Sequence, residues 1–351
     1  MLDTIGDANA IALVGLVGGL ILGLAARLGR FCTLGSIEDF LYSSDDRRLR
    51  MWGVAIGVSM IGTFAATALG IIDITASGFL DVQWVILASV VGGLLFGYGM
   101  AICGNCGYGA LARLGGGDLR SFVIVLVMGL SGYVAMSGPL AHLRIWLFPV
   151  EQGAAQPQGY AYLAGDALNL SPSLLGMLAG TVILIVSLAS TRFLRSPSQI
   201  AWGAAVGVAI VTGWVGSWWV ANTGFDGERF TTHSFVAPVG DTLYYLMTAS
   251  GNTLSFSVGS VFGVLGGAWI GSLIKGHFRW EACEDPRELR RQVGGAAIMG
   301  VGAIIAGGCS VGQGISAFST LSFSAPIVFL SIFAGAALGL RQLIVGFAPA
   351  E

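Results

Sequence analysis

Nothing constrains the fold of this 351-residue chain more than the apolar segments, each about one membrane thickness long, that recur along it. A helix needs roughly 20 predominantly apolar residues to cross the hydrocarbon core of a bilayer. Nine segments qualify: 10–28, 51–72, 84–102, 120–140, 173–191, 200–221, 254–274, 291–308 and 324–346. The start of the eighth overlaps a charged loop that contains Arg287, Arg290 and Arg291. Mean hydropathy is +0.80 and charged residues make up 10% of the chain, against about a quarter in soluble domains. The expected fold class is therefore an all-α integral membrane protein with about nine transmembrane helices, forming one domain over residues 1–351.

The 55 glycines follow no collagen period and fall inside the apolar segments. There they permit close helix packing and breaks in helices. Runs such as Gly97–Gly109 and Gly300–Gly314 are poor continuous helix, since each interior glycine costs about 1 kcal/mol relative to alanine. They predict breaks that feed short re-entrant helices. Met1–Ala10 carries acids and lacks a basic n-region, so no cleavable signal peptide is expected.

Basic residues orient the spans. Arg47, Arg48 and Arg50 lie in the first connection, Arg113 and Arg120 in the third, and Arg192 and Arg195 in the fifth. Lys275, Arg279, Arg287, Arg290 and Arg291 lie in the seventh, whereas the even connections hold little beyond Arg144 and Arg229. This alternation predicts an outside N-terminus and a cytoplasmic C-terminus.

An offset of 203 residues aligns Gly92 with Gly295, Gly97 with Gly300, Gly104 with Gly307, Cys106 with Cys309 and Gly109 with Gly312. The third and eighth spans, so matched, cross in opposite senses. The chain thus predicts an inverted repeat: one half over 10–140, a connector helix at 173–191 and a second half over 200–346. Such repeats are common in transporters. The counterpart of Cys32 is expected near Asn222–Thr232, a stretch without cysteine.

Three of the five cysteines share one setting. Cys32, Cys106 and Cys309 each end or follow an apolar segment, and each has a glycine three residues on: Gly35, Gly109 and Gly312. The five cysteines do not resemble a secreted disulfide framework. Free cysteine is often just a small buried hydrophobe, but the repeated setting points to a path for a sulfur-seeking solute. Gly104 and Gly307 precede two of the thiols, and Asn105, Ser310 and Gln313 flank them. These three polar residues could serve an anion's oxygens or the backbone of the broken helices. Arg30, two residues from Cys32, could draw an anion or extend to the membrane surface. Cys103 is expected to be packing and Cys283, beside Glu281, Glu284 and Asp285, to have no role. His142, His233 and His277 show no ligand spacing, so no metal site and no cofactor are expected.

The runs Gly29-Arg30-Phe31-Cys32, Gly99 to Gly109 (GMAICGNCGYG) and Gly307 to Gly314 (GGCSVGQG) resemble the YeeE/YedE family of sulfur-compound transporters of the bacterial inner membrane. The resemblance spans essentially the whole chain. It implies a membrane transport domain whose substrate is thiosulfate or a close sulfur anion, passed between Cys32, Cys106 and Cys309 by thiol hydrogen bonds without covalent chemistry. It also implies a cytoplasmic sulfur carrier of the TusA type as partner, alongside membrane lipid; nucleic acid is not expected. Cys103 and Cys283 are extra to the family's pattern.

Two other readings compete with transport. One is a membrane sulfurtransferase that forms a cysteine persulfide, although no histidine or lysine stands near the three thiols along the sequence to activate one. The other is a soft-metal channel, since thiols and thioethers favour copper(I), although the methionines are dispersed. The chain also lacks a Walker A loop, so it carries no ATP-driven motor of its own.

Overall fold

A computed structural model describes residues 6–149, 153–154, 156–224, 227–282 and 285–345. Cys283 lies outside the described residues. The described chain is helical throughout and contains no strand, only two isolated bridges.

The principal helices are α1 (Asp7–Leu28), α2 (Thr33–Tyr42), α3 (Arg47–Ala68), α4 (Ile86–Cys103), α5 (Gly107–Gly115) and α6 (Leu119–Met136). They continue with α7 (Pro172–Leu188), α8 (Pro197–Thr223), α9 (Ala237–Thr248), α10 (Phe256–Ile274), α11 (Pro286–Ile305) and α12 (Ser324–Val345). Each of the nine apolar segments coincides with one of these helices. Among the described residues, seven helices are long and apolar enough to cross a membrane, or eight if a bent pair counts as one. That pair is Tyr160–Leu168 with α7, which meet at 118°. The segment outside this count is α11, whose first turns carry Arg287, Glu288, Arg290 and Arg291 and dilute its hydropathy. The chain is a multi-pass membrane protein.

Packing follows from the glycines. In lipid there is no hydrophobic drive between helices, so small residues that let backbones touch provide the contact. α1 and α10 press together along Gly15, Gly19 and Gly23 on one helix and Gly259, Gly263 and Gly267 on the other. A Cβ on Gly19 would stand 2.4 Å from the Ser260 carbonyl oxygen, and one on Gly267 would stand 2.2 Å from that of Leu20. α4 is held the same way on two sides: a Cβ on Gly97 would meet the Ile332 carbonyl of α12 at 2.1 Å, and one on Gly99 the Gly295 carbonyl of α11 at 2.6 Å. α3 packs between α7 and α8.

This alters the reading of the glycine-rich runs. Gly97, Gly99, Gly300 and Gly302 lie inside unbroken helix and serve contact. Only one point in each run breaks. At Gly104 the backbone turns left-handed (φ 81°) and closes α4, and at Gly307 (φ 73°) it does the same just after α11. Glycine adopts this conformation without the steric penalty of a Cβ. The short α5 follows the first break. The second is followed by helical residues Ser310–Ser319, with a π-helical turn over Gly312–Ala317.

Candidate functional site

The broken ends bring the repeated cysteines into the interior. Cys106 is the N-cap of α5, and its Sγ accepts the Gly109 N–H at 3.3 Å. Cys309 plays the same part before the π-helical turn and accepts the Gly312 N–H at 3.4 Å. Each sulfur thus takes the place of the oxygen that a serine or aspartate cap would offer to the orphan N–H groups of a helix start. The spacing cysteine–x–x–glycine is the sequence trace of this cap. Cys32 is the N-cap of α2 but makes no such side-chain bond, and it is the least buried of the three.

A threonine joins the broken ends. Thr33, fully buried, donates its Oγ1 hydroxyl to Ser310 Oγ at 3.0 Å and lies 3.8 Å from Cys106 Sγ. The residue after Cys32, the thiol of Cys106 and the residue after Cys309 therefore meet at one hydroxyl. Cys309 Sγ receives more donors from the other side: the Phe235 N–H at 3.3 Å, with Ser234 Oγ at 3.6 Å. Aromatic rings surround this point. Phe31 stacks on Trp52 at 4.7 Å, and Tyr108 lies 5.4 Å from Phe235, its hydroxyl donating to the Leu22 carbonyl.

Two cavities approach the thiols from opposite ends of α1 and α10. The narrower, about 370 Å³, reaches Cys32, Asn105 and Gly109, and its wall includes Arg27, Arg30 and Lys275. Arg48, Arg113 and His277 add to the same wall. The wider, about 720 Å³, reaches Ser234 and Gly308, next to Cys309. Ile11 lines the wider cavity and Ala26 the narrower one, so about 22 Å of helix α1 separates them at 1.5 Å per residue.

Positive charge is concentrated at the narrower cavity. Lys275 lies below the ordinary lysine pKa, first because of burial and then because Arg30 and Arg27 stand close. Its ammonium donates to the Arg27 and Leu28 carbonyls at the end of α1. Arg27 donates to Ser272 Oγ at 2.6 Å. Arg48 pairs with Asp39 at 3.0 Å and donates to the Arg30 carbonyl, which holds Arg30 in a left-handed conformation (φ 55°). Gly35 leaves room for this: a Cβ there would stand 2.4 Å from the Arg48 guanidinium.

Residues 28–338 match the family described as sulphur transport, known also as YeeE/YedE. The chain belongs to that family. It is similar to the thiosulfate transporter TsuA of Escherichia coli K12, with 26% identity over 330 residues covering 87% of each chain. It is also similar to the thiosulfate transporter TsuA of Spirochaeta thermophila, with 22% identity over 328 residues, 90% of this chain and 95% of that one. Its relatives are named as transporters, which sets the chain with carriers of sulfur compounds and not with enzymes.

Asn105 is buried beside Cys106 and lines the narrower cavity. Ser310 is held by Thr33. Gln313 uses both ends of its amide on the second break: Nε2 donates to the Ala306 and Gly307 carbonyls at 3.1 Å, and Oε1 accepts from Ser324 at 3.0 Å. Those carbonyls belong to a helix end that lipid could not satisfy. Cys103 is buried in the apolar core at the end of α4. Thr33, Ser234 and Phe235 had no sequence signal, because their role depends on contacts across tens to hundreds of residues.

Proposed function

We propose that this protein carries thiosulfate, or a closely related sulfur anion, inward across the bacterial inner membrane along a path lined by Cys32, Cys106 and Cys309. One observation carries this reading: cavities entering from opposite ends stop on either side of the Cys106–Thr33–Ser310 junction, with Cys309 next in line. A thiol is a weak donor and a weak acceptor, so it can hold a soft, anionic sulfur without binding it tightly. Handing the anion from Cys309 to Cys106 and then to Cys32 exchanges one such bond for another. No covalent bond to sulfur forms or breaks. Asn105 and Ser310 are placed to serve the oxygens, while Gln313 keeps the second break in shape.

In this reading the narrower, cation-lined cavity is cytoplasmic, the wider one faces outward, and the N-terminus is outside, in keeping with the distribution of arginine. The nine segments all span, and the two halves form an inverted repeat. The 203-residue offset supports this, since it carries α1, α2, α3, α4, α5 and α6 onto α8, α9, α10, α11, the helix at 310–319 and α12. It also places Phe235, and not the stretch 222–232, opposite Cys32. A TusA-like carrier would collect the cargo at the basic cytoplasmic face. The driving force comes from the substrate gradient, a coupled ion or consumption inside the cell.

The test is uptake of labelled thiosulfate into liposomes holding purified protein, with Cys106→Ala and Cys309→Ala beside the unaltered chain. Saturable uptake that both substitutions abolish is the expected result. Absence of uptake by the unaltered protein, together with sulfur bound to a cysteine by mass spectrometry, would overturn transport in favour of a sulfurtransferase.

A further inference from the structure

The wider cavity contains an arginine that no part of the thiol path uses. Arg144 lies on the short helix Leu140–Leu147 and is half-buried. Its Nε donates to the Ala135 carbonyl at 3.1 Å, and one N–H of Nη2 points to the Met136 carbonyl at 3.5 Å. Both carbonyls end α6, so the cation sits at the negative end of a helix and is held there. A guanidinium has two forked edges. These contacts occupy the Nε–Nη2 edge, and no partner among the described residues takes the Nη1–Nη2 edge.

Its placement matters as much as its geometry. Arg144 lines both the wider cavity and an adjoining one of about 180 Å³, and both cavities run to Ile304 and Gly307 at the second break. From there the wider cavity continues to Gly308 and Ser234, beside Cys309. The other cation of that wall is Arg229, and beside it burial holds the Asp241 carboxyl above its ordinary pKa, with a hydrogen bond from Ser257 and the charge of Arg229 acting the other way. Among the described residues, Arg144 makes no ion pair.

We propose that Arg144 is the recognition residue of this cavity, receiving a divalent sulfur oxyanion on its Nη1–Nη2 edge before the anion reaches Ser234 and Cys309. A planar fork matches two oxygens of a sulfonate-like group at once, which a lysine cannot do. Being tethered in advance, the side chain loses little freedom on binding. This inference rests on the outward orientation and substrate class given above. It adds where discrimination starts: by charge and oxygen geometry at Arg144, before sulfur chemistry at the thiols.

The experiment compares the unaltered protein with Arg144→Gln and Arg144→Lys in liposomes. For Arg144→Gln, KM for thiosulfate rises about tenfold or more, as for loss of a charge-assisted pair of hydrogen bonds, while the maximal rate stays within about twofold. Arg144→Lys falls between. Competition by external sulfate weakens in parallel with KM, a change that mere loosening of the helix end would not produce. Unchanged KM and unchanged sulfate competition in Arg144→Gln overturn the inference. Thermal stabilisation of the detergent-solubilised proteins by sulfate and by thiosulfate separates this from the transport reading. If the unaltered protein takes up no thiosulfate but is stabilised by these anions only when Arg144 is present, transport fails and the recognition site stands. Equal stabilisation of all three proteins removes the site.

Discussion

The two broken helices begin alike and end in different company. At each, a left-handed glycine closes a long helix and a cysteine sulfur takes the N–H three residues on. Cys106 then faces the hydroxyl of Thr33, whereas Cys309 faces the amide of Phe235 and the hydroxyl of Ser234. The mouths differ in the same sense. Arg27, Arg30, Arg48, Arg113 and Lys275 crowd the narrower cavity, while the wider one offsets Arg144 and Arg229 with Glu228 and Asp241. The repeated motif specifies the sulfur cap. What that sulfur meets is set by the first residue of α2 or by the segment before α9, and there the halves diverge.

The largest effect is expected where the two sides join. Thr33→Val keeps the shape of the side chain but removes the hydroxyl that links Ser310 and Cys106. It leaves buried polar groups without their partner, at about 1–3 kcal/mol. Uptake in liposomes should fall about tenfold or more. Full activity would mean that the two sulfur sites work without this bridge.

A paired substitution tests the difference between the caps. A Cβ on Gly312 would stand 2.7 Å from Ser234 Oγ, whereas one on Gly109 would meet Asn105 and Cys106 at ordinary contact distances of 3.5 and 3.6 Å. Gly312→Ala should cut uptake several-fold by displacing Ser234, and Gly109→Ala should stay within about twofold. Equal losses would show that the wider side has no special need of Ser234.

The mouths can be compared through salt. Screening shortens the reach of exposed charges from about 10 Å at 0.1 M to about 3 Å at 1 M. In vesicles of opposite orientation, apparent affinity at the cation-lined mouth should weaken several-fold over that range. At the wider mouth, where acids offset the arginines, it should weaken by about twofold at most. Identical slopes would erase the contrast.

The smallest effect concerns Lys275. Burial, then Arg30 and Arg27, favour its neutral form, so it loses its proton at a lower pH than an ordinary lysine, 10.5. Rising pH therefore removes positive charge from the narrower mouth early, and anion affinity there weakens. Titrating affinity in Lys275→Met should show about a twofold flatter alkaline decline.

Much of this was legible in the sequence, for reasons specific to membranes. Lipid leaves an apolar segment no alternative to satisfying its own backbone, so α1, α3, α4, α6, α8, α10 and α12 follow from hydropathy alone. α11 shows the limit, because its charged first turns hide it from a length-and-composition test while its glycines still pack it on α4. A break in each glycine-rich run was readable because it is a local event within a few residues; that the break falls at Gly104 and Gly307 and is capped by the sulfurs of Cys106 and Cys309 came from the structure. The same locality misled at Gly97 and Gly300, where a glycine that admits a neighbouring backbone looks no different from one that ends a helix.

The tertiary structure alone decided what stands around the sulfurs. Thr33 reaches Ser310 across 277 positions, and Ser234 reaches Cys309 across 75. It also decided that Gln313 serves a helix end and that Arg144 keeps one edge free. Propensity and periodicity carry information over a turn or two of helix. A hydrogen bond between helix starts distant in sequence depends on how whole helices pack, and that is settled by glycines far from the residues that meet.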